Sequence, residues 1–138
     1  MSDFALDPGL EADSAWVADG PLSQLRLMDD ARFYWLLLVP RVADASEWLD
    51  LPVADQALLW EEVQRAGALL RAGPGCEKLN IGALGNIVRQ LHVHVVARHA
   101  GDAAWPGPVW GAGAPQRHPP EVLAARLARL RETWAASG

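Results

Sequence analysis

The chain has 138 residues, 51% of them hydrophobic and 21% charged, which is the length and balance of one globular domain. Its net charge of −5 argues against nonspecific nucleic-acid binding and against docking on acidic membranes, although a small anionic substrate stays possible. The lone Cys76 excludes an internal disulfide and a multi-cysteine zinc site, and it favours a reduced cytoplasmic setting. The N-terminus lacks the features of a signal peptide, and no apolar run could span a bilayer. We expect one cytoplasmic domain over residues 1–138.

The first half of the chain predicts strands. Trp16-Val17 favours a short strand, and the alternating run 22–28 predicts a longer one with Leu25 and Leu27 facing the core. The apolar run 34–39 predicts a buried strand that ends at a proline. The last two strands are joined by a short connection, so we expect an antiparallel hairpin.

The tip of that hairpin carries two adjacent carboxylates, Asp29 and Asp30. A carboxylate there could accept hydrogen bonds from the hydroxyl groups of a ligand. More commonly, an aspartate in such a turn is solvated and binds no ligand.

Two helices are predicted. Asp50 and an early proline are typical of a helix start, and we expect one amphipathic helix over 53–72. Its apolar stripe comprises Leu59, Val63, Ala66 and Leu70, with Glu61, Glu62 and Arg65 off the stripe. A last helix begins at Pro119-Pro120. Its apolar face comprises Leu123, Leu127, Leu130 and Trp134, and its other face, predicted to be solvated, comprises Arg126, Arg129 and Arg131.

A further strand is predicted within Cys76–Leu84, followed by a glycine-containing turn. Gly82, Gly85 and Asn86 form this turn, and small residues let backbone amides approach an anion closely. The glycine spacing matches neither a P-loop nor a dinucleotide fingerprint.

The most informative stretch is the predicted strand 90–98, which holds two of the four histidines. Side chains alternate between the two faces of a strand. One face comprises Leu91, Val93, Val95 and Ala97 and can pack on a core; the other comprises Gln90, His92, His94, Val96 and Arg98. Neutral imidazole can be a nucleophile, a general base or a metal ligand. The alternative is a pair of solvent-facing histidines with no role.

The loop 105–111 holds Trp105 and Trp110 together with two prolines, which stiffen it. We expect a folded flap that packs on the site or on a second subunit. A proline-rich ligand for a partner domain is the less favoured interpretation, because the stretch occurs only once in the chain.

The run from Gln90 to Val96 resembles the hallmark of the histidine-triad (HIT) family of nucleotide hydrolases and transferases. That hallmark is three histidines alternating with apolar residues, and here glutamine takes the first position. The upstream residues Asn80, Gly82 and Gly85-Asn86-Ile87-Val88 also resemble the family, with one residue fewer between Asn80 and Gly85. The order of elements and the Trp105-Pro106 pair follow the family as well.

The resemblance implies an α+β fold with an antiparallel sheet of about five strands. It makes His92 the nucleophile that forms a covalent nucleotidyl-imidazole at the α-phosphate of a dinucleoside polyphosphate or nucleoside phosphoramidate. His94 would bind the phosphoryl oxygens. It also implies that Gly85 and Asn86 bind the phosphate and that Asn80 contacts the phosphate or orients the nucleophile. Asp29, with Asp30 as the second choice, would bind the ribose hydroxyls.

Gln90 departs from the family pattern. Glutamine cannot shuttle a proton, though its hydrogen bonds can orient His92 or a leaving group. Slow turnover, or nucleotide binding without efficient turnover, is therefore an open alternative. A second alternative is a His-x-His metal-dependent hydrolase, for which His99 and His118 are available but not placed by any spacing rule.

The family resemblance also implies a homodimer, with the long helix or the C-terminal region near the contact. It implies no cofactor and no catalytic metal. Adenine and guanine nucleotides are expected by analogy alone.

Overall fold

A computed structural model describes residues 3–138, which contain a five-stranded antiparallel sheet and three α-helices. The strands are β1 (Ser14–Asp19), β2 (Ser23–Met28), β3 (Tyr34–Pro40), β4 (Lys78–Gly82) and β5 (Val93–Arg98). The helices are α1 (Pro8–Asp13), α2 (Val53–Ala72) and α3 (Pro120–Ser137). The predicted α+β architecture is confirmed. Among the described residues, no helix is both long and apolar enough to cross a membrane.

The strand order in the sheet is β1-β2-β3-β5-β4. The histidine strand β5 is therefore an interior strand with a partner on each side. His94 lies opposite Leu37 of β3 and opposite Gly82 of β4. This register places a neighbouring strand on each side of His94 and fixes the face of the sheet to which its ring points.

The two faces of the sheet bury different clusters. Helices α2 and α3 cover one face, where the main core comprises Val17, Leu25, Leu27, Leu36, Leu38, Leu59, Val63, Val93, Val95, Leu130 and Trp134 among others. The other face carries a smaller cluster of Leu10, Phe33, Trp35, Leu37, Val39, Val96 and Val109. This face has no long helix on it, which leaves room for a cavity.

The histidine strand is shorter than predicted. It begins at Val93, and residues 90–92 precede it as irregular chain. The face assignment nevertheless holds, because Leu91, Val93 and Val95 pack in the helix-covered core. The strand predicted within 76–84 is likewise shorter, at Lys78–Gly82.

Helix α2 has the predicted bounds but not the predicted cap. Pro52 takes the N-cap position. The Asp50 carboxylate instead accepts hydrogen bonds from the backbone N–H groups of Ser46 and Glu47, which close a preceding 3₁₀ turn, Trp48–Asp50. The Asp50 carboxylate is thus bonded to the turn before the helix, and the N-cap makes no side-chain hydrogen bond.

Two charged residues that were predicted off the apolar faces of their helices, Glu62 and Arg131, make long-range hydrogen bonds. Glu62 is only 3% exposed, and its Oε2 accepts hydrogen bonds from the N–H groups of Leu22 and Ser23. Arg131 of α3 donates to the carbonyl of Val17. Both contacts join residues more than 35 positions apart, which helical periodicity cannot reveal.

Candidate active site

A cavity of about 570 Å³ opens on the face of the sheet that lacks a long helix. This volume suits a small organic ligand. Its apolar wall includes Leu10, Met28, Trp35, Leu84, Ile87, Val88, Val109 and Trp110, and its polar wall includes Asp13, Asp29, Asp30, Arg32, Asn86, His92, His94 and Arg117. His92, His94 and both tip carboxylates therefore line one cavity.

His92 is 7% exposed and lines the cavity just before β5 begins. Its Nδ1 lies 2.6 Å from the backbone carbonyl oxygen of Gln90. A carbonyl can only accept, so Nδ1 carries the proton and donates it. In the neutral ring, Nε2 then keeps a free lone pair. The local chain therefore presents an imidazole in the tautomer that a nucleophile needs.

His94 takes the opposite tautomer. The indole N–H of Trp35 donates to His94 Nδ1 at 3.0 Å, and an indole nitrogen can only donate. Burial, together with repulsion from His92, lowers the pKa of His94 to about 3. At neutral pH the ring is therefore uncharged, and its Nε2 carries the proton. The two rings lie 4.9 Å apart between centroids, and they combine one lone pair with one donor.

The loop after β5 folds back on the site, as predicted for a flap. The Trp110 ring stands edge-on to His94, with centroids 5.4 Å apart. A Cβ added at Gly82 would lie 3.2 Å from the Trp110 ring, so the glycine makes room for the indole. Sequence alone indicated a glycine turn near an anion, but not this packing role.

The turn before the histidines also reaches the cavity. Gly85 and Asn86 line it, and Asn86 is exposed. Gly85 has a φ of 75°, a conformation that side chains with a Cβ rarely adopt. The glycine thus allows a backbone conformation on the cavity wall that a residue with a side chain would adopt only under strain.

Asp29 also lines the cavity, with its carboxylate held by residues near α3. Its Oδ1 accepts from the backbone N–H of His118 at 2.9 Å and from Nδ1 of the same residue at 2.8 Å. Its Oδ2 accepts from Arg117 at 3.1 Å. Burial raises the pKa of Asp29, but these hydrogen bonds outweigh it and leave the pKa below its ordinary value.

Asp30 is more enclosed than Asp29, at 1% exposure. Its carboxylate forms an ion pair with Arg32 at 2.8 Å and accepts from the backbone N–H of Gln116. Burial raises its pKa, and the bonds from Arg32 and Gln116 more than reverse that effect. Of the two tip carboxylates, Asp29 has the more accessible oxygen atoms.

Two residues singled out by sequence have other partners. The side chain of Gln90 accepts from the N–H of Asp7 and donates to the carbonyl of Ala5, so it joins the N-terminal segment and does not line the main cavity. Asn80 accepts from Arg98 at 2.8 Å and is also absent from the cavity wall.

Arg98 anchors the start of the flap. Its guanidinium is 2% exposed and forms an ion pair with Asp102 at 2.7 Å. The hydrogen bonds from Arg98 hold the pKa of Asp102 at about 2, well below its ordinary value. Asn80 therefore belongs to a group that fixes the loop leading to Trp110.

The arrangement of possible metal ligands gives little support to the metal-dependent hydrolase. Among residues 3–138 no group of three His, Cys, Asp or Glu side chains is placed to hold an ion. His99 bonds the carbonyl of Ala100, and His118 bonds Asp29. A metal at Nε2 of His94 would also displace its proton to Nδ1, where the indole N–H of Trp35 already donates.

Sequence reasoning missed Trp35, Arg117 and His118 as parts of the site. Trp35 lies on β3 and points to the same face as His94, a signal available once the strand register is known. The bonds from Arg117 and His118 to Asp29 span 88 and 89 residues. No local pattern carries that information.

Comparisons with known proteins agree with this geometry. A family model described as HIT domain matches residues 9–101. A crystal structure of a histidine triad (HIT) protein from Sinorhizobium meliloti 1021 is 50% identical, covering 95% of this chain and 97% of that one, with a TM-score of 0.91. A histidine triad protein from Bradyrhizobium japonicum is 45% identical, covering 94% and 97%, with a TM-score of 0.91.

A third structure, of a histidine triad protein from Marinobacter aquaeolei VT8, is 37% identical and covers 98% of both chains with a TM-score of 0.90. Among curated proteins, no match was found. The family match covers well over half of the chain, and the similarity to these structures runs nearly its full length. The chain belongs to the HIT domain family.

Proposed function

We propose that this protein is a nucleotide hydrolase or nucleotidyl transferase that acts at an α-phosphate through a covalent intermediate on His92. HIT family proteins generally bind nucleotides and are usually such enzymes. One observation carries the proposal. The carbonyl of Gln90 holds the proton on Nδ1 of His92, so that the lone pair of Nε2 is available beside the Nε2–H donor of His94.

In the first step, Nε2 of His92 attacks the α-phosphorus, and the bond from phosphorus to the leaving group breaks. The leaving group departs with the electron pair of that bond and takes up a proton from the solvent. Nε2–H of His94 donates to a phosphoryl oxygen as charge builds on it. In the second step, water or another acceptor attacks phosphorus and loses a proton to the solvent. The P–Nε2 bond breaks with its electron pair returning to Nε2, which restores neutral His92.

Position 90 then acts through its main chain. While phosphorus is bonded to Nε2, the His92 ring carries a positive charge and still has its Nδ1 proton. The carbonyl of Gln90, 2.6 Å away, stabilises that charge. Any residue supplies this carbonyl, so glutamine at the first triad position is compatible with turnover.

The rest of the cavity suits a nucleoside monophosphate unit. Asp29 is the proposed acceptor for ribose hydroxyls, and the apolar wall around Leu10, Met28 and Val109 is the proposed base site. Gly85 and Asn86 are the proposed phosphate contacts. Asn80 supports the site indirectly, through Arg98 and the flap.

Charge favours a substrate with a single phosphate. Arg32 and Arg117 are the only arginine or lysine side chains on the described cavity wall, and each is paired with an aspartate. A dinucleoside polyphosphate would bring several more negative charges without a matching cation. We therefore favour a nucleoside phosphoramidate over a dinucleoside polyphosphate.

The test is mass spectrometry of the intact protein after brief exposure to an adenosine phosphoramidate, with quenching at a pH that preserves the P–N bond. We expect a nucleotidyl mass increment that maps to His92. Bound nucleotide with neither adduct nor released product would replace the proposal with a nucleotide-binding protein. Activity abolished by a chelator would favour the metal-dependent alternative.

We further propose that residues 1–138 form a single HIT-like domain, that the protein works in the cytoplasm, and that it is a homodimer. The edge strand β4 and the adjoining turn expose Ile81, Leu84 and Ile87, the last at 98%, and such a surface supports self-association. Light scattering at micromolar concentration checks the last point, and a monomer would contradict it.

A further inference from the structure

A chain of polar contacts joins the cavity to helix α3. Asp29 Oδ1 accepts both the backbone N–H and the side-chain Nδ1 of His118, and the guanidinium of Arg126 contacts His118 Nε2 at 3.0 Å. We propose that His118 is a positioning residue that aims Asp29 at the 2′,3′-diol of ribose and so makes the site select ribonucleotides. This inference rests on the nucleotide function proposed above.

The partners of His118 fix its tautomer. A guanidinium has donors and no acceptor, so Nε2 must accept from Arg126. The proton therefore sits on Nδ1, where it is donated to Asp29. Arg126 is itself held over the ring of Tyr34, with its guanidinium carbon 4.7 Å from the ring centroid. The helix thus determines which nitrogen of the histidine faces the carboxylate.

These bonds leave acceptor capacity on one oxygen of Asp29. A carboxylate oxygen offers about two lone-pair sites. On Oδ1 both are occupied by the two N–H groups of His118, whereas Oδ2 receives a single bond, from Arg117. Oδ2 is therefore the atom that can accept from a hydroxyl group of a ligand in the cavity.

The two side chains that donate to Asp29 differ in how deeply they are buried. The side chain of His118 is 0% exposed, whereas that of Arg117 is 60% exposed. A packed imidazole holds its bond in one geometry, while an exposed arginine can move aside at little cost. His118 thus sets the direction of the carboxylate, and Arg117 can yield to a ligand.

The experiment pairs a change in the enzyme with a change in the substrate. Steady-state kinetics compares His118→Phe with the wild type on an adenosine phosphoramidate and on its 2′,3′-dideoxy analogue. We expect His118→Phe to raise KM for the ribose substrate roughly tenfold, as the loss of one charge-assisted hydrogen bond would. The change in KM for the dideoxy analogue should be under twofold.

His118→Asn is the matched control, because its side-chain N–H can occupy the place of Nδ1. It should restore most of the ribose preference. An equal rise in KM for both substrates, or an unchanged KM for the ribose substrate, would overturn the positioning role while leaving the proposed function intact. Absence of adduct and of binding in the wild type would instead overturn the proposed function and this inference with it.

A measurement on the wild type covers the case in which His118→Phe does not fold. Nitrogen-15 NMR of the unliganded protein reports which ring nitrogen of His118 carries the proton. Protonated Nδ1 with bare Nε2 is expected. The reverse tautomer would overturn the proposal, because Asp29 Oδ1 would then lose the donor on the His118 ring.

Discussion

The cavity has two polar sides that are built in different ways. On the histidine side, the partner of His92 is the carbonyl two residues earlier, and the partner of His94 lies on the adjacent strand. On the carboxylate side, Asp29 is held by residues 88 and 89 positions later in the chain. Strand β3 separates β2, which leads to Asp29, from β5.

Both sides use the same device, a histidine whose tautomer is set by a partner that can only donate or only accept. The difference lies in what that tautomer serves. In the proposed mechanism, the tautomers of His92 and His94 arrange groups for a reacting phosphorus, whereas the proposed role of the His118 tautomer is to orient a carboxylate for binding. The comparison predicts that changes on the histidine side alter kcat and that changes on the carboxylate side alter KM.

The largest effect is expected at the proposed nucleophile. His92→Ala should lower kcat at least ~10³-fold, because no other side chain supplies the attacking lone pair. Asp29→Asn provides the contrast, with a raised KM and a kcat within about threefold of the wild type. Steady-state kinetics and adduct detection check both variants. An active His92→Ala enzyme would rule out the covalent mechanism.

The next effect concerns the tautomer of His94. Trp35→Phe keeps an aromatic ring and removes the N–H that binds Nδ1, so the ring can turn or exchange its proton. We expect kcat to fall about tenfold with little change in KM. Trp110→Phe is the control, because it removes an indole N–H close to His94 that makes no bond to that ring. Equal losses in the two variants would show that packing, not the hydrogen bond, matters.

A stability measurement isolates His94 without any substrate. Its folded pKa is about 3 and its ordinary value is 6.5, so between these values the unfolded chain binds a proton that the folded chain does not. The free energy of unfolding is therefore highest, with respect to His94, above the ordinary pKa of 6.5. It decreases as the pH falls toward the pKa of about 3 in the folded protein. We expect His94→Gln to reduce the slope by up to about 1.4 kcal/mol per pH unit.

Urea unfolding at several pH values from about 6.5 to 4.5 measures that slope. This window avoids Asp29, Asp30 and Asp102, whose lowered pKa values add to the pH dependence mainly below the unfolded aspartate value of about 3.9. Glutamine can still accept from Trp35, which limits other changes. Identical slopes in the two proteins would mean that His94 is not held uncharged.

The smallest effect is expected at Gln90. Its side chain binds Ala5 and Asp7, and its carbonyl stays in any variant. Gln90→Ala should therefore change kcat by less than about threefold, while losing about 1 kcal/mol of stability. Gln90→His is the companion variant. A large gain in rate with histidine would show that the side chain at this position takes part in proton transfer.

Much of the fold follows from local pattern. Helix α2 has the predicted bounds, and Leu25, Leu27, Val93 and Val95 face the helix-covered core as alternation predicts. Residues two apart on a strand share a face, so His92 and His94 were expected together, and both line the cavity. These features depend on backbone periodicity, which the order of residues fixes directly.

Other features were decided only by tertiary structure. The donor to His94 comes from a neighbouring strand, the burial of Glu62 depends on a turn 39 residues away, and the partners of Asp29 come from the segment before α3. Such contacts depend on strand order and on where the last helix packs, because residues far apart in the chain must first be brought together. The sequence by itself determined where the strands and helices form, and that the imidazoles of His92 and His94 lie together. The tertiary structure decided which ring nitrogen carries the proton in His94 and in His118, and which carboxylate stays open to a ligand.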